Sequence, residues 1–187
     1  WHFDVDGTLI EVPGLEKHSA EVIKKNITLG AYTTVEFKGL IFAYLGPKDN
    51  KPEFPIYDSF DFKEMEMVPY KAPFGCNWLQ VLDAIVDPIH TSFLHSNMGR
   101  QQFSEGFGEV GQIDFFERDC WILGCNTRRV GDNVWFRINE FVLPNFTQAG
   151  AAFRVDGTKQ IYYGRSSFTR WVVQINDETT ICYAWAN

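Results

Sequence analysis

From residue 110 onward the chain reads as one strand after another, β-branched and aromatic in large part and broken by short polar turns. Strands are predicted over 110–118, 121–130, 134–142, 145–155, 160–163, 168–175 and 179–186. Arg118-Asp119, Gly131-Asp132-Asn133, Asp156-Gly157 and Asn176-Asp177-Glu178 supply turn signals between them, so a meandering antiparallel sheet is expected. Residues 76–95 differ. Leu79, Leu82, Ile85, Val86 and Ile89 recur at steps of three and four with no glycine, the mark of an amphipathic helix, and Pro88 should kink it or start a new one. The first half holds a short hairpin turning at Asp6-Gly7, a charged helix or connector over 16–25, and strands over 27–37 and 39–45. A connector carrying Pro52, Pro55, Pro69 and Pro73 follows, too rich in proline for one long helix. One long helix beside an antiparallel sheet makes the expected fold class α+β.

Composition narrows the field. Of 187 residues, 45% are hydrophobic and 22% charged, the balance of a globular chain. The net charge of −7 argues against general nucleic-acid binding, which needs a surplus of Lys and Arg. No apolar run reaches the roughly 20 residues of a membrane span and no signal peptide is read, so a soluble, cytoplasmic protein is expected. Cys76, Cys120, Cys125 and Cys182 form no Cys-x-x-Cys pair and read as scattered small hydrophobes.

Chemistry concentrates in the helical stretch. Asp83, Asp87, His90 and His95 fall within thirteen residues, and two imidazoles with a carboxylate are a ligand set for Fe(II) that leaves positions open for oxygen. His90 and His95, five apart, would lie about 140° from each other on an ideal helix at roughly 100° per residue. Only a π-bulge, a kink or a helix end between them would let both hold one metal. Asp87 and His90, three apart, share a face and can hydrogen-bond. The plainer alternative is a helix whose histidines cap its end and meet its dipole.

Asp83-x3-Asp87-x2-His90-x4-His95, preceded by Asn77-Trp78, resembles the mononuclear iron motif of Rieske-type non-haem iron oxygenase α subunits, the terminal components of aromatic ring-hydroxylating dioxygenases and aryl-ether demethylases. Residues 1–8 resemble the stretch after the second iron–sulfur box of a Rieske domain. Ala31-Tyr32, Glu36 and the run GLIFAYLGP from Gly39 to Pro47 are similar to the linker strands before the catalytic domain, in the phthalate dioxygenase and vanillate O-demethylase branch.

That resemblance implies a helix-grip catalytic domain of the Bet v1/START-like type, here incomplete. Residues 1–14 would be the remnant of a Rieske [2Fe–2S] domain and residues 15–187 a catalytic domain truncated at its C-terminal end. His90 and His95 would ligate Fe(II), and the third ligand, a carboxylate, would lie beyond Asn187. Asp87 would bridge electrons to His90 from a neighbouring subunit's Rieske centre, whose Cys and His ligands are absent here. Asp83 and Asn77 would support the site from behind the ligands, and Phe93 and Leu94, between the ligands, would line the substrate pocket, with packing in the core as the plainer expectation for both. The implied activity is hydroxylation, dihydroxylation or O-demethylation of an aromatic substrate with O2, driven by NADH through a reductase or ferredoxin, in a homotrimer. The fragment alone is expected to be inactive. A metal-free helix-grip module that encloses an apolar ligand is the rival, supported by the aromatic-rich sheet.

Overall fold

The computed structural model describes residues 1–61, 63, 66–95, 108–150 and 166–186. They form two compact units, Trp1–Pro55 and Ile56–Asn187.

In the first unit, strands β1 (His2–Phe3) and β2 (Leu9–Glu11) pair antiparallel around the turn at Asp6-Gly7. Gly7 has φ +87°, and a Cβ there would lie 1.9 Å from the Leu29 carbonyl oxygen, so only glycine fits. Helix α1 (Lys17–Asn26) follows, with Lys24 and Lys25 in its last turn, where cations suit the helix dipole. Leu9 and Val12 pack with Ala20 in one small core, so residues on both sides of the expected 14/15 boundary are buried together. Strands β3 (Thr33–Phe37) and β4 (Leu40–Tyr44) make a second antiparallel pair. The strand predicted over 27–37 is thus confined to its last five residues.

The second unit is a seven-stranded sheet in the order β5-β11-β10-β9-β8-β7-β6, antiparallel throughout. Its strands are β5 (Val68–Phe74), β6 (Gln112–Arg118), β7 (Trp121–Val130), β8 (Asn133–Val142), β9 (Phe146–Gly150), β10 (Ser166–Asn176) and β11 (Thr179–Ala186). Consecutive neighbours from β6 to β11 make the expected meander. The strand expected over 145–155 appears as β9, and its remainder, with the strand over 160–163, lies outside the described residues. β5 carries Pro69 and Pro73 and lies where the sequence predicts a connector. It is an edge strand, where a residue without an N–H leaves no inner ladder bond unmade.

β5 and β6 occupy opposite edges, and the chain between them carries helix α2 (Trp78–Val86) against β8, β10 and β11. Val81 and Leu82 of α2 pack with Val172 and Cys182, joined by Phe74, Trp78, Ile85 and Phe141. Side chains alternate between the faces of a strand, so Trp171 and Trp185 point away from the helix. There they form an aromatic core with Phe60 and Phe146, with ring centroids 5.0–6.1 Å apart. The architecture is α+β, dominated by the antiparallel sheet. Among the described residues no helix is long and apolar enough to cross a membrane.

Candidate metal centre

Helix α2 is short because both of its ends are chemically fixed. Asn77 caps the N-terminus: its Oδ1 accepts the Leu79 N–H at 2.9 Å, and its Nδ2 donates to the Asp177 carbonyl at 3.4 Å. At the other end Pro88 lacks an N–H and forces the residue before it out of the helical region. Asp87 accordingly sits at φ −84°, ψ 104°, its N–H donating to the Asp83 carbonyl at 3.1 Å. The helix expected over 76–95 therefore runs in two pieces, α2 and a π-helical turn over Thr91–His95.

The π turn decides the geometry. Its hydrogen bonds close over five residues rather than four, so positions five apart stack along one side. His90 and His95 are brought together: their ring centroids lie 5.2 Å apart at an interplanar angle of 68°. A metal about 2.1 Å from one nitrogen of each ring, with an angle of roughly 100° between the bonds, puts the centroids about 5 Å apart. The observed centroid separation equals the one that two imidazole ligands of a single ion would have.

Asp87 sets the orientation of His90. Its main-chain carbonyl accepts from His90 Nδ1, and because a carbonyl can only accept, Nδ1 carries a proton; in the neutral imidazole the lone pair is then on Nε2. Its carboxylate Oδ1 accepts the Ile89 N–H at 2.7 Å, which shapes the turn through Pro88, while Oδ2 stands 3.9 Å from His90 Nδ1. A ligating histidine whose second nitrogen is hydrogen-bonded behind it is the usual support for a metal.

The remaining predicted residues lie elsewhere. Asp83 is exposed and reaches the site through its carbonyl bond to Asp87. Asn77 caps the far end of α2, about 15 Å from Asp87 at 1.5 Å per residue, and acts through the helix it starts. Phe93 and Leu94 are 60% and 48% exposed. Among the described residues, no third His, Cys, Asp or Glu completes a metal-binding group.

Two sheet residues that the sequence reading missed hold this segment. Asn139 on β8 donates to the Ile85 carbonyl at 3.1 Å. Arg128 on β7, 2% exposed, donates through Nη2 to the Pro88 carbonyl at 3.0 Å and to Thr91 Oγ1 at 2.6 Å, and through Nε to Asn126 Oδ1 at 3.0 Å. Asn126 and Arg128 alternate with Cys125 and Thr127, and the pairing of Gly124 with Asn139 puts them on the helix-bearing face. A polar residue repeated at a two-residue step inside a strand was the available signal. A separate cavity of about 470 Å3, lined by Tyr57, Trp121, Ile138, Glu140 and Gln148, opens on the other face, since Ile138 and Glu140 flank Asn139.

No protein-family model matches the chain. The tert-butanol monooxygenase / tert-amyl alcohol desaturase oxygenase subunit of Aquincola tertiaricarbonis is 37% identical to it, across 99% of this chain and 41% of the relative. The phenoxybenzoate dioxygenase subunit alpha of Ectopseudomonas oleovorans is 29% identical, across 95% of this chain and 45% of its own length. The phthalate 4,5-dioxygenase oxygenase subunit of Pseudomonas putida is 34% identical, across 52% of this chain and 22% of its own length. The chain thus spans less than half the length of these curated relatives. Dicamba monooxygenase bound to dicamba superposes with a TM-score of 0.70 over 98% of this chain and 56% of that one, at 14% identity. The terminal oxygenase of carbazole 1,9a-dioxygenase from Nocardioides aromaticivorans superposes with a TM-score of 0.61 over 96% of this chain and 54% of that one, at 10% identity. At such identities the structural likeness concerns the fold alone. With the oxygenase subunits that share its sequence, the chain belongs to the family of Rieske-type non-haem iron oxygenase α subunits.

Proposed function

We propose that the chain is part of the catalytic region of a terminal oxygenase in which His90 and His95 hold a mononuclear Fe(II). The observation that carries this reading is the approach of the two imidazoles, 5.2 Å between centroids on a π turn. The third ligand, a carboxylate, is supplied from outside the described residues. Bound Fe(II) would supply the activation of O2. The chain's own residues do the positioning: Asp87 fixes the His90 tautomer through its carbonyl, and its carboxylate, 45% exposed, faces outward as the bridge by which electrons arrive from a neighbouring subunit's Rieske [2Fe–2S] centre. Asp83 supports the site through its carbonyl bond to Asp87, Asn77 stabilises the far end of the helix that leads to it, and Phe93 and Leu94, exposed beside the ligands, contribute to the substrate pocket.

In this reading residues 1–14 belong to the end of a Rieske domain, which runs on past residue 14 because Leu9 and Val12 share a core with Ala20, and the sheet with α2 is a helix-grip, Bet v1/START-like catalytic domain. The full-length subunit works in the cytoplasm as a homotrimer fed from NADH through a reductase or ferredoxin. It hydroxylates, dihydroxylates or O-demethylates its substrate. Relatives named for phenoxybenzoate and phthalate favour an aromatic substrate, and the one named for tert-butanol and tert-amyl alcohol adds small tertiary alcohols to the substrates to be tried. The test is NADH-dependent O2 uptake by the full-length subunit with a reductase, over a panel of benzoates, aryl ethers and tertiary alcohols. Substrate-stimulated uptake lost in His95→Ala is expected, and uptake unchanged in that variant would sink the proposal.

A further inference from the structure

We propose that Arg128 is a positioning residue of the metal centre: its guanidinium fixes the chain on either side of His90 so that the segment beyond Pro88 takes the π form that brings His90 and His95 together. The inference rests on the reading of the two histidines as metal ligands.

The decisive acceptor is the Pro88 carbonyl. In a continuing α-helix it would accept the N–H of Ser92, four residues on. Here the Ser92 N–H donates instead to the Ile89 carbonyl at 3.0 Å. The Pro88 oxygen is taken by Thr91 Oγ1, which donates to it at 2.6 Å, and by Arg128 Nη2 at 3.0 Å. Because the Thr91 hydroxyl gives its proton to Pro88, its lone pairs are left to accept Arg128 Nη2 at 2.6 Å. The α pattern is thus broken at Pro88, three residues before the π turn begins at Thr91. A charge-assisted donor holds the interruption in place.

Arg128 is itself held rigidly. Its Nε donates to Asn126 Oδ1 at 3.0 Å, two residues earlier on the same strand face, and its guanidinium stands 4.9 Å from the Trp135 ring centroid. A buried guanidinium is a costly way to fill space, and burial pushes its pKa down. What it supplies that an apolar side chain cannot is directional bonding to Pro88 and Thr91, the points before and after the first ligand. A lysine has the charge without the planar fork and cannot reproduce the arrangement. Asn139, bonded to the Ile85 carbonyl one strand away, registers the end of α2 against the same sheet face. Arg128 then sets the turn that follows.

The test measures Fe(II) affinity by equilibrium dialysis of the metal-depleted full-length subunit, together with the electron paramagnetic resonance signal of its Fe(II)–nitric oxide adduct. Thermal melting of the metal-free protein serves as the folding control. Arg128→Met is expected to fold and to bind Fe(II) about 10–100-fold more weakly, with an altered nitric oxide signal; Arg128→Lys should fall between it and the wild type. Arg128→Met that binds Fe(II) with wild-type affinity and signal overturns the proposal. Should Arg128→Met not fold, Thr91→Val decides: it keeps the shape but removes the hydroxyl, so several-fold weaker binding supports the proposal and wild-type binding overturns it. Wild-type protein that takes up no Fe(II) overturns the metal reading as well, whereas uptake that depends on His90 and His95 but not on Arg128 overturns this inference alone.

Discussion

The His90 imidazole donates its Nδ1–H to the main-chain carbonyl of Asp87, three residues earlier across the Pro88 break. The bond does not involve the Asp87 side chain, so tautomer control and the carboxylate's charge can be separated by substitution. Asp87→Asn keeps the carbonyl and an Oδ1 able to accept the Ile89 N–H. Iron content in the full-length subunit should therefore stay near wild type, while NADH-coupled O2 uptake falls by about tenfold or more, because the substitution removes only the charge of the carboxylate proposed to carry electrons to His90. Loss of iron with loss of uptake would mean that the carboxylate holds the metal site rather than conducting to it.

Asn77 separates a helix cap from a site residue. Asn77→Ala removes the acceptor for the Leu79 N–H and should cost about 1 kcal/mol of stability in a denaturant melt. Its distance along α2 predicts Fe(II) affinity within about twofold of wild type. A larger affinity loss would show that the cap sets the ligands as well as the helix.

The aromatic core on the helix-free face carries a large share of the stability. Trp185 is fully buried, with centroids 5.0 Å from both Phe60 and Trp171. Trp185→Ala should destabilise the second unit by about 3–5 kcal/mol in chemical unfolding. A loss below about 1 kcal/mol would contradict the packing described.

Thiol reactivity offers a check with a defined sign. Burial raises the Cys182 thiol above its ordinary 9.0, and Cys125 shifts the same way for the same first cause, while Cys120 is exposed. A raised folded-state pKa contributes stability that is complete below the unfolded value and lost as pH rises through the folded one. Iodoacetamide at pH 8 should modify Cys120 and leave Cys125 and Cys182 protected by about a hundredfold or more, since their reaction requires opening of the sheet. The melting temperature should fall as pH is raised past 9. Equal labelling of Cys120 and Cys182 would contradict the burial.

The sequence carried most of this architecture because its signals were local. The turns at Gly131-Asp132 and Asp177-Glu178 and the apolar runs between them specify the meander, and the steps from Leu79 to Val86 specify α2. The five-residue spacing of His90 and His95 required a distortion, and Pro88 indicated where it would start. β5 escaped because Pro69 and Pro73 argue against a strand until its place at the sheet edge is known. Arg128 and Asn139 escaped for a different reason: their partners, Pro88 and Ile85, are distant in sequence and become neighbours only once the sheet lies under the helix.

The most direct test of the account counts imidazoles at the iron. X-ray absorption at the iron edge of the Fe(II)-loaded full-length subunit, with the contribution of any iron–sulfur cluster subtracted, should require two imidazole ligands in the wild type. One should remain in His90→Ala and in His95→Ala. A wild-type spectrum without imidazole scattering, or one left unchanged by both substitutions, would contradict the assignment of His90 and His95 as the ligands.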